Sequence, residues 1–104
     1  MVDSMIEIRE TDAFAEWISN LRDRNAQAVI AARLARMEVG NFGDSRSVGG
    51  RVSELRINVG PGYRAYYTRH GAQVVFMLGG GDKSSQARDI QKAQKLAEAM
   101  DRWL

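Results

Sequence analysis

Two short alternating segments flank the single proline of the chain, and they constrain the fold more than any other feature. Before Gly60-Pro61-Gly62, the apolar residues Leu55, Ile57 and Val59 alternate with polar ones, which is the period of a strand buried on one face. Proline fixes φ and glycine tolerates positive φ, so this tripeptide predicts a turn. The segment therefore predicts an antiparallel β-hairpin.

A three-residue loop predicts the register of this hairpin, with Val59 opposite Tyr63, Ile57 opposite Ala65, and Arg56 opposite Tyr66. The core-facing side of the hairpin then carries Leu55, Ile57, Val59, Tyr63, Ala65 and Tyr67. The opposite, polar side carries Glu54, Arg56, Asn58, Arg64, Tyr66 and Thr68. Because side chains alternate along a strand, a slip of one residue would exchange the two faces.

The residues before the hairpin predict one strand and two helices. Met5 to Arg9 alternates like a strand, and Thr11 or Asp12 can cap the helix that follows. Apolar residues of that helix recur at the helical period: Phe14, Trp17, Ile18 and Leu21. A second helix is predicted from near Asn25 to about Glu38, with Gly40 at its end.

The remaining segments predict a loop, a central strand and a last helix. Asn41 to Arg51 is rich in Gly and Ser and predicts a loop. The apolar run Val74 to Leu78 predicts a strand covered on both sides, ended by Gly79-Gly80-Gly81. Asp82 or Ser84 can cap a final helix whose core stripe is Ile90, Ala93, Ala97, Met100 and Leu104.

The element order β-α-α-β-β-β-α predicts one α+β domain over residues 1–104, with its core at about 5–100. We expect an antiparallel sheet with the helix hairpin on one face and the last helix at the sheet end or edge.

The chain has no cysteine and one histidine, His70, so neither a disulfide nor a metal site is expected. Without a long apolar run or a signal-peptide pattern, we expect a cytosolic protein that needs no cofactor and no membrane.

The polar residues of the hairpin and the last helix suit phosphate binding. Arg56 and Arg64 share a strand face, and guanidinium groups bind phosphate oxygens in bidentate fashion. Lys83 precedes the last helix, whose N-terminus adds backbone donors. Tyr66 can stack a base or act as a proton acceptor. Two carboxylates, Asp89 and Glu54, are predicted near this surface, where each can orient a ribose hydroxyl, take its proton or hold an arginine in place.

The glycines before Lys83 lack the spacing of a nucleotide-triphosphatase loop, which excludes that class.

Several ordered motifs resemble the RelE/ParE toxin superfamily of toxin–antitoxin systems, in its HigB-like, phage Gp49-like branch of addiction-module killer proteins. They comprise Glu54-Leu55-Arg56, then Gly60-Pro61-Gly62-Tyr63-Arg64 with Tyr66-Tyr67, then Gly80-Gly81-Asp82-Lys83-Ser84-Ser85-Gln86 with Asp89-Ile90, and the loop around Gly40-Asn41 and Gly43-Asp44. The resemblance extends from Met5 to about Met100.

The resemblance implies a ribosome-dependent messenger-RNA endoribonuclease that a cognate antitoxin, often a helix-turn-helix protein, neutralises in a hetero-oligomer. Cleavage in this superfamily is metal-independent attack of the ribose 2′-oxygen on the adjacent phosphate. By position, Arg64 would stabilise the developing charge, and Lys83 would bind phosphate or protonate the leaving group. Arg56, Glu54 and the helix-start residues Ser84, Ser85 and Gln86 would contribute to RNA or phosphate binding.

The chain departs from some relatives in the residues that accept the proton. No tyrosine follows Tyr67, and no C-terminal histidine is present, so Asp89 and Tyr66 are both candidates for the general base. Two other functions remain open: a ParE-like inhibitor of DNA gyrase, and a non-catalytic paralogue that acts only by binding. A shared surface of Arg56, Arg64 and Lys83 would count against the gyrase inhibitor.

Overall fold

Within the part of the chain that the structure describes, residues 5–103, one five-stranded sheet is covered by three helices; the structure is a computed structural model. The strands are β1 (Glu7–Glu10), β2 (Ser45–Gly49), β3 (Val52–Ile57), β4 (Tyr63–His70) and β5 (Val74–Asp82). The helices are α1 (Asp12–Asn20), α2 (Arg24–Glu38) and α3 (Gln86–Asp101), with a 3-10 turn at Lys83–Ser85 before α3.

The strand order in the sheet is β1-β5-β4-β3-β2. All neighbouring pairs are antiparallel except β1 and β5, which are parallel. The predicted α+β class is confirmed. Because β1 pairs only with Val74–Met77, the later part of β5 has no strand on its outer side among residues 5–103.

The hairpin forms, but its predicted register is wrong by two residues. Ile57 lies opposite Tyr63, Arg56 opposite Arg64, and Glu54 opposite Tyr66. The cause is a loop longer than three residues: it spans 58–62, and the Gly62 N–H donates to the Val59 carbonyl at 3.0 Å. A slip of two residues leaves every side chain on its predicted face.

Two segments predicted to be irregular are strand. Ser45–Gly49, inside the predicted loop, is β2 and pairs with β3. Gly79-Gly80-Gly81 does not end a strand as predicted, because β5 continues through these glycines to Asp82 and pairs with β4. Neither segment shows the alternation of apolar and polar side chains that predicts a strand. Both are held in the sheet by backbone hydrogen bonds, which such a pattern does not reveal.

The helices cover both faces of the sheet. On one face, α1 and α2 pack over the larger core, which contains Phe14, Ile30, Met37, Leu55 and Met77. On the other face, α3 packs over Val52, Tyr66 and Leu78 through Ala93 and Ala97. The predicted placement of the last helix at the sheet end or edge is therefore wrong. Leu104, predicted in its core stripe, lies outside the described residues.

Side-chain caps fix where the helices begin. Thr11 accepts from the Phe14 N–H at 3.3 Å, and Asp23 accepts from the Ala26 N–H at 3.0 Å. Asp82 or Ser84 was predicted to cap the last helix, but Asp82 caps the 3-10 turn before it, and α3 itself follows Ser85 without a side-chain cap. No helix within residues 5–103 combines the length and the apolar character needed to cross a membrane.

Candidate functional site

A fully buried carboxylate, Glu54 on β3, lies at the centre of the polar face under α3. Arg46 Nε donates to Glu54 Oε2 at 2.8 Å, and Gln86 Nε2 donates to Oε1 at 2.8 Å. Arg64 Nε lies 3.9 Å from Oε1. A buried charge is costly without such partners, so Glu54 holds β2, β4 and the start of α3 together. Of its three possible roles, this burial favours holding an arginine in place over contacting RNA.

Arg64 on β4 is the basic residue most enclosed by this network, with a side chain that is 7% exposed. Its Nη1 donates to the Tyr63 carbonyl at 3.2 Å, and its buried Nε makes no hydrogen bond to any of residues 5–103. A Cβ placed at Gly62 would lie 3.7 Å from Arg64 Nη1 and 3.4 Å from Lys83 Cδ. The turn at Gly62 therefore brings Arg64 and Lys83 together.

Two further arginines, both more exposed than Arg64, extend this surface. Arg56, opposite Arg64 in the sheet, has a 36% exposed side chain whose Nε lies 3.3 Å from the Asp44 carboxylate. Arg46, opposite Glu54 on β2, is 59% exposed. We call Arg46, Arg56, Arg64 and Lys83 the basic face. Sequence reasoning missed Arg46, because the Gly- and Ser-rich segment that contains β2 predicts a loop.

Arg33 of α2 holds the backbone beside the basic face. Its Nη1 donates to the Arg56 carbonyl at 2.6 Å, and its Nη2 donates to the Asp44 carbonyl at 3.2 Å. Burial lowers the pKa of the Arg33 guanidinium. Arg33 thereby positions both members of the Arg56–Asp44 ion pair through their main chain.

The three residues predicted to bind phosphate at the start of α3 are all engaged with carboxylates. Ser84 Oγ donates to Asp82 at 2.5 Å, and this hydrogen bond lowers the pKa of Asp82. Ser85 Oγ donates to Asp89 at 2.5 Å, while Gln86 binds Glu54. Their geometry favours a structural role, and Lys83 is the exposed cation of this segment.

Asp89, in the first turn of α3, lies directly over the backbone of β5. A Cβ placed at Gly81 would be 1.9 Å from Asp89 Oδ2, a distance that no real Cβ allows. On the opposite face of the sheet, a Cβ at Gly80 would be 2.4 Å from the ring of Trp17. The glycine run therefore serves close packing on both faces, a use that the sequence motif did not indicate.

This packing predicts different outcomes for three substitutions. Gly80→Ala pushes against the Trp17 ring and lowers the free energy of unfolding by about 1–3 kcal/mol, the usual cost of overpacking. Gly81→Ala displaces the Asp89 carboxylate, whose side chain can move, and costs about 1 kcal/mol through its hydrogen bond to Ser85. Urea unfolding of the purified variants measures both.

Gly79→Ala is the matched control, because a Cβ there meets no atom within 4 Å. Its free energy of unfolding stays within about 1 kcal/mol of the parent chain. Equal losses for all three variants would contradict the packing described for Gly80 and Gly81.

Tyr66 is fully buried, and its hydroxyl makes no hydrogen bond within residues 5–103. Burial raises the pKa of Tyr66, the charges of Glu54 and Asp89 raise it further, and Arg64 opposes them. The phenol is therefore protonated at neutral pH, and its ring has no exposed surface on which a base could stack. This geometry counts against Tyr66 as a proton acceptor and leaves Asp89 as the candidate.

The raised pKa of Tyr66 predicts an alkaline stability loss. Above the ordinary tyrosine pKa of about 10, the unfolded chain loses a proton that the folded chain keeps, so stability falls as pH rises. Below that pH the contribution is fully present. Between pH 9 and about 11, the free energy of unfolding of Tyr66→Phe, measured with urea, is expected to fall less steeply with pH than that of the parent chain. A slope identical to that of the parent would contradict the raised pKa.

No group of three or more His, Cys, Asp or Glu residues within 5–103 is arranged to hold a metal ion. His70 lies at the far end of β4 from Arg64, with Nε2 3.8 Å from Asp101.

The fold is that of the RelE toxins. The chain aligns over 96% of its length with 99% of the E. coli toxin RelE, solved in the free state as a double arginine-to-alanine mutant, with a TM-score of 0.68 and 16% identity. The model of the family Phage derived protein Gp49-like (DUF891) matches residues 16–102. The chain belongs to this family, which is part of the RelE/ParE-type toxin group and confirms the resemblance found in the sequence.

The chain also has a relative of similar length. An uncharacterized protein of Haemophilus influenzae (strain Rd) is 44% identical over 95 residues, which cover 91% of this chain and 96% of the relative. The match spans nearly the whole of both proteins.

Proposed function

We propose that the chain is the toxin of a toxin–antitoxin pair and acts as a ribosome-dependent messenger-RNA endoribonuclease. The observation that carries this proposal is the basic face. Arg64 and Lys83 both lie beside Gly62, and the buried Glu54 carboxylate lies 3.9 Å from the Arg64 guanidinium. Clustered cations on one surface provide the affinity of proteins for phosphate backbones. Family membership supports the toxin class.

In the proposed reaction, the 2′-oxygen of a ribose forms a bond to the adjacent phosphorus, and the bond from phosphorus to the 5′-oxygen breaks. The 2′-hydroxyl proton passes to Asp89, and the leaving 5′-oxygen receives a proton from Lys83. Arg64 stabilises the charge that develops on the phosphoryl oxygens. Arg56 and Arg46 bind the neighbouring phosphates. The products are a 2′,3′-cyclic phosphate and a 5′-hydroxyl end.

The proposal implies two kinds of partner in the cytoplasm. The ribosome presents the messenger RNA, and a cognate helix-turn-helix antitoxin neutralises the toxin in a hetero-oligomer. Membership of the toxin group supports the antitoxin as a partner, whereas the ribosome is part of the proposal itself.

The deciding experiment induces the protein in bacteria and maps transcript 5′ ends with translation running or blocked. Cuts at codon-phased positions that require translation support the proposal. Cuts that persist without translation would remove the ribosome from it. DNA damage with intact transcripts would favour gyrase inhibition, and unaltered RNA and DNA would favour a non-catalytic binding paralogue.

Lys83→Gln tests the proposed acid. Loss of a positioned proton donor lowers the cleavage rate by about 10²–10⁴. Lys95→Gln is the matched control, because Lys95 is also an exposed lysine, lies on α3 and is outside the basic face. Rates are measured on a defined transcript in translating ribosomes. Full activity of Lys83→Gln would exclude Lys83 as the acid.

A further inference from the structure

A groove follows the outer edge of β5 beyond the end of its pairing with β1. It consists of two adjoining cavities of about 550 Å³ and 190 Å³, both of which are lined by Trp17, Gly80, Asp89 and Lys92. The larger cavity also reaches Tyr63 and Gly81. We call the space bounded by these six residues the β5-edge groove.

One wall of the β5-edge groove is aromatic. Three atoms of the Trp17 ring would lie 2.4–2.5 Å from a Cβ at Gly80, so one ring face rests on the strand backbone. Tyr63 meets the indole edge-on, with ring centroids 6.4 Å apart. Trp17 is only partly buried and lines both cavities. Flat rings beside open space are the surfaces on which proteins bind unpaired bases.

The other wall, on α3, carries charge of both signs. Arg88 and Lys92 are exposed at the rim of the larger cavity. Asp89 lines both cavities with a carboxylate that already accepts from Ser85. Asp82, also on the lining, is bound by Ser84. Exposed cations at the rim, beside carboxylates that already accept from serine hydroxyls, match a nucleotide, whose phosphate is its charged part.

Asp89 connects this groove to the basic face. It lies over Gly81, and Gly81 is the β5 residue directly opposite Arg64 in the sheet. A ribose whose 2′-hydroxyl meets Asp89 therefore has its 3′-phosphate directed toward Arg64 and its base directed along β5 toward Trp17.

We propose that the β5-edge groove binds the unpaired base of the nucleotide that supplies the attacking 2′-oxygen. The base packs against Trp17 beside Tyr63, and Arg88 and Lys92 contact the phosphate on its 5′ side. This inference rests on the proposed function, because that function places the ribose at Asp89. An extended peptide paired to the open edge of β5 is the competing occupant.

The first test uses Trp17 as its own reporter. The chain has two tryptophans, so Trp103→Phe leaves Trp17 as the single one. The probe is a ribotrinucleotide with one 2′-deoxyribose, which cannot be cleaved at that position. We expect saturable quenching of Trp17 fluorescence, and none with the same trinucleotide made abasic there. Equal quenching by both probes, or binding without any quenching, would overturn the proposal in favour of a different occupant.

The second test compares Lys92→Gln with its matched control Lys95→Gln, which changes an exposed lysine outside the groove. Log affinity falls linearly with log salt concentration, and removal of one phosphate contact to a single strand makes this slope less steep by about 0.7. We expect this change for Lys92→Gln alone. An unchanged slope for Lys92→Gln, or the same change in both variants, would overturn the assignment of the rim.

Failure of the subsite and failure of the proposed function are distinguishable. If induced protein cuts transcripts but trinucleotides leave Trp17 fluorescence unchanged, the function stands and the subsite is overturned. If base-dependent quenching occurs but transcripts stay intact, the groove is a base-binding site and the ribonuclease proposal is overturned.

Discussion

Arg64→Gln is expected to reduce the rate of messenger-RNA cleavage by about 10²–10³, the usual cost of losing one group that stabilises an oxyanion. Arg64 is enclosed, contacts Glu54, and meets Lys83 across Gly62, so its guanidinium is held in one place before RNA arrives. Arg64→Lys keeps the charge but loses the planar fork, and we expect an intermediate rate. The measurement is cleavage of a defined transcript together with growth arrest on induction.

Glutamine at this position leaves the fold in place, because Glu54 still accepts hydrogen bonds from Arg46 and Gln86. The matched control is Arg24→Gln, which changes an exposed arginine on α2 outside the basic face. We expect the control to cleave and arrest growth like the parent chain. A fully toxic Arg64→Gln variant would show that the reaction takes place elsewhere.

Glu54→Ala is expected to lower the free energy of unfolding by about 3–5 kcal/mol, as when one partner of a buried ion pair is removed. The substitution leaves Arg64 without its carboxylate while its Nε already lacks a hydrogen bond within residues 5–103. It also releases Arg46 and Gln86, which join β2 and α3 to the sheet. Urea unfolding at neutral pH measures the loss.

Glu98→Ala provides the control for Glu54→Ala. Glu98 forms an exposed pair with Arg102, the residue that follows the end of α3, at 3.5 Å. Such a pair contributes about 0.3–0.5 kcal/mol. Similar losses for the two variants would show that the Glu54 network contributes no more than a surface ion pair. Glu54→Gln, which keeps the size of the side chain, is expected to lose less than Glu54→Ala.

The fold was predictable from the sequence wherever side chains alternate or recur. Leu55, Ile57 and Ala65 were placed on the correct face even though the register was wrong, since an even slip preserves the faces. The misplaced features, β2 and the glycine end of β5, are set by backbone pairing with β3 and β4. Residues such as Gly80 carry no side-chain signal for that pairing.

Three of the four cations of the basic face, Arg56, Arg64 and Lys83, were predictable from the sequence, whereas Arg46 and the contacts of the site were not. The proximity of Arg64 and Lys83 was expected from the motifs, and the structure places them on either side of Gly62. The engagement of Gln86 with Glu54, residues that are 32 positions apart, depends on how α3 crosses the sheet. The same crossing buries Tyr66, which the strand pattern alone placed on a polar face.

The place of Trp17 shows the same limit. The helical stripe indicated a core residue, and Trp17 does pack against the larger core. Its position on Gly80, beside the groove at the edge of β5, depends on a contact between residues far apart in the chain. Helical periodicity carries no information about such a neighbour.

The absence of side chains at two adjacent strand positions couples the two faces of the sheet. Trp17 rests on Gly80 from the α1 side, and Asp89 rests on Gly81 from the α3 side. Only the thickness of one peptide backbone separates an aromatic residue of the core from the proposed proton acceptor. We therefore expect positions 17 and 80 to covary among relatives, with a larger residue at 80 found only where the indole has been replaced by a smaller side chain.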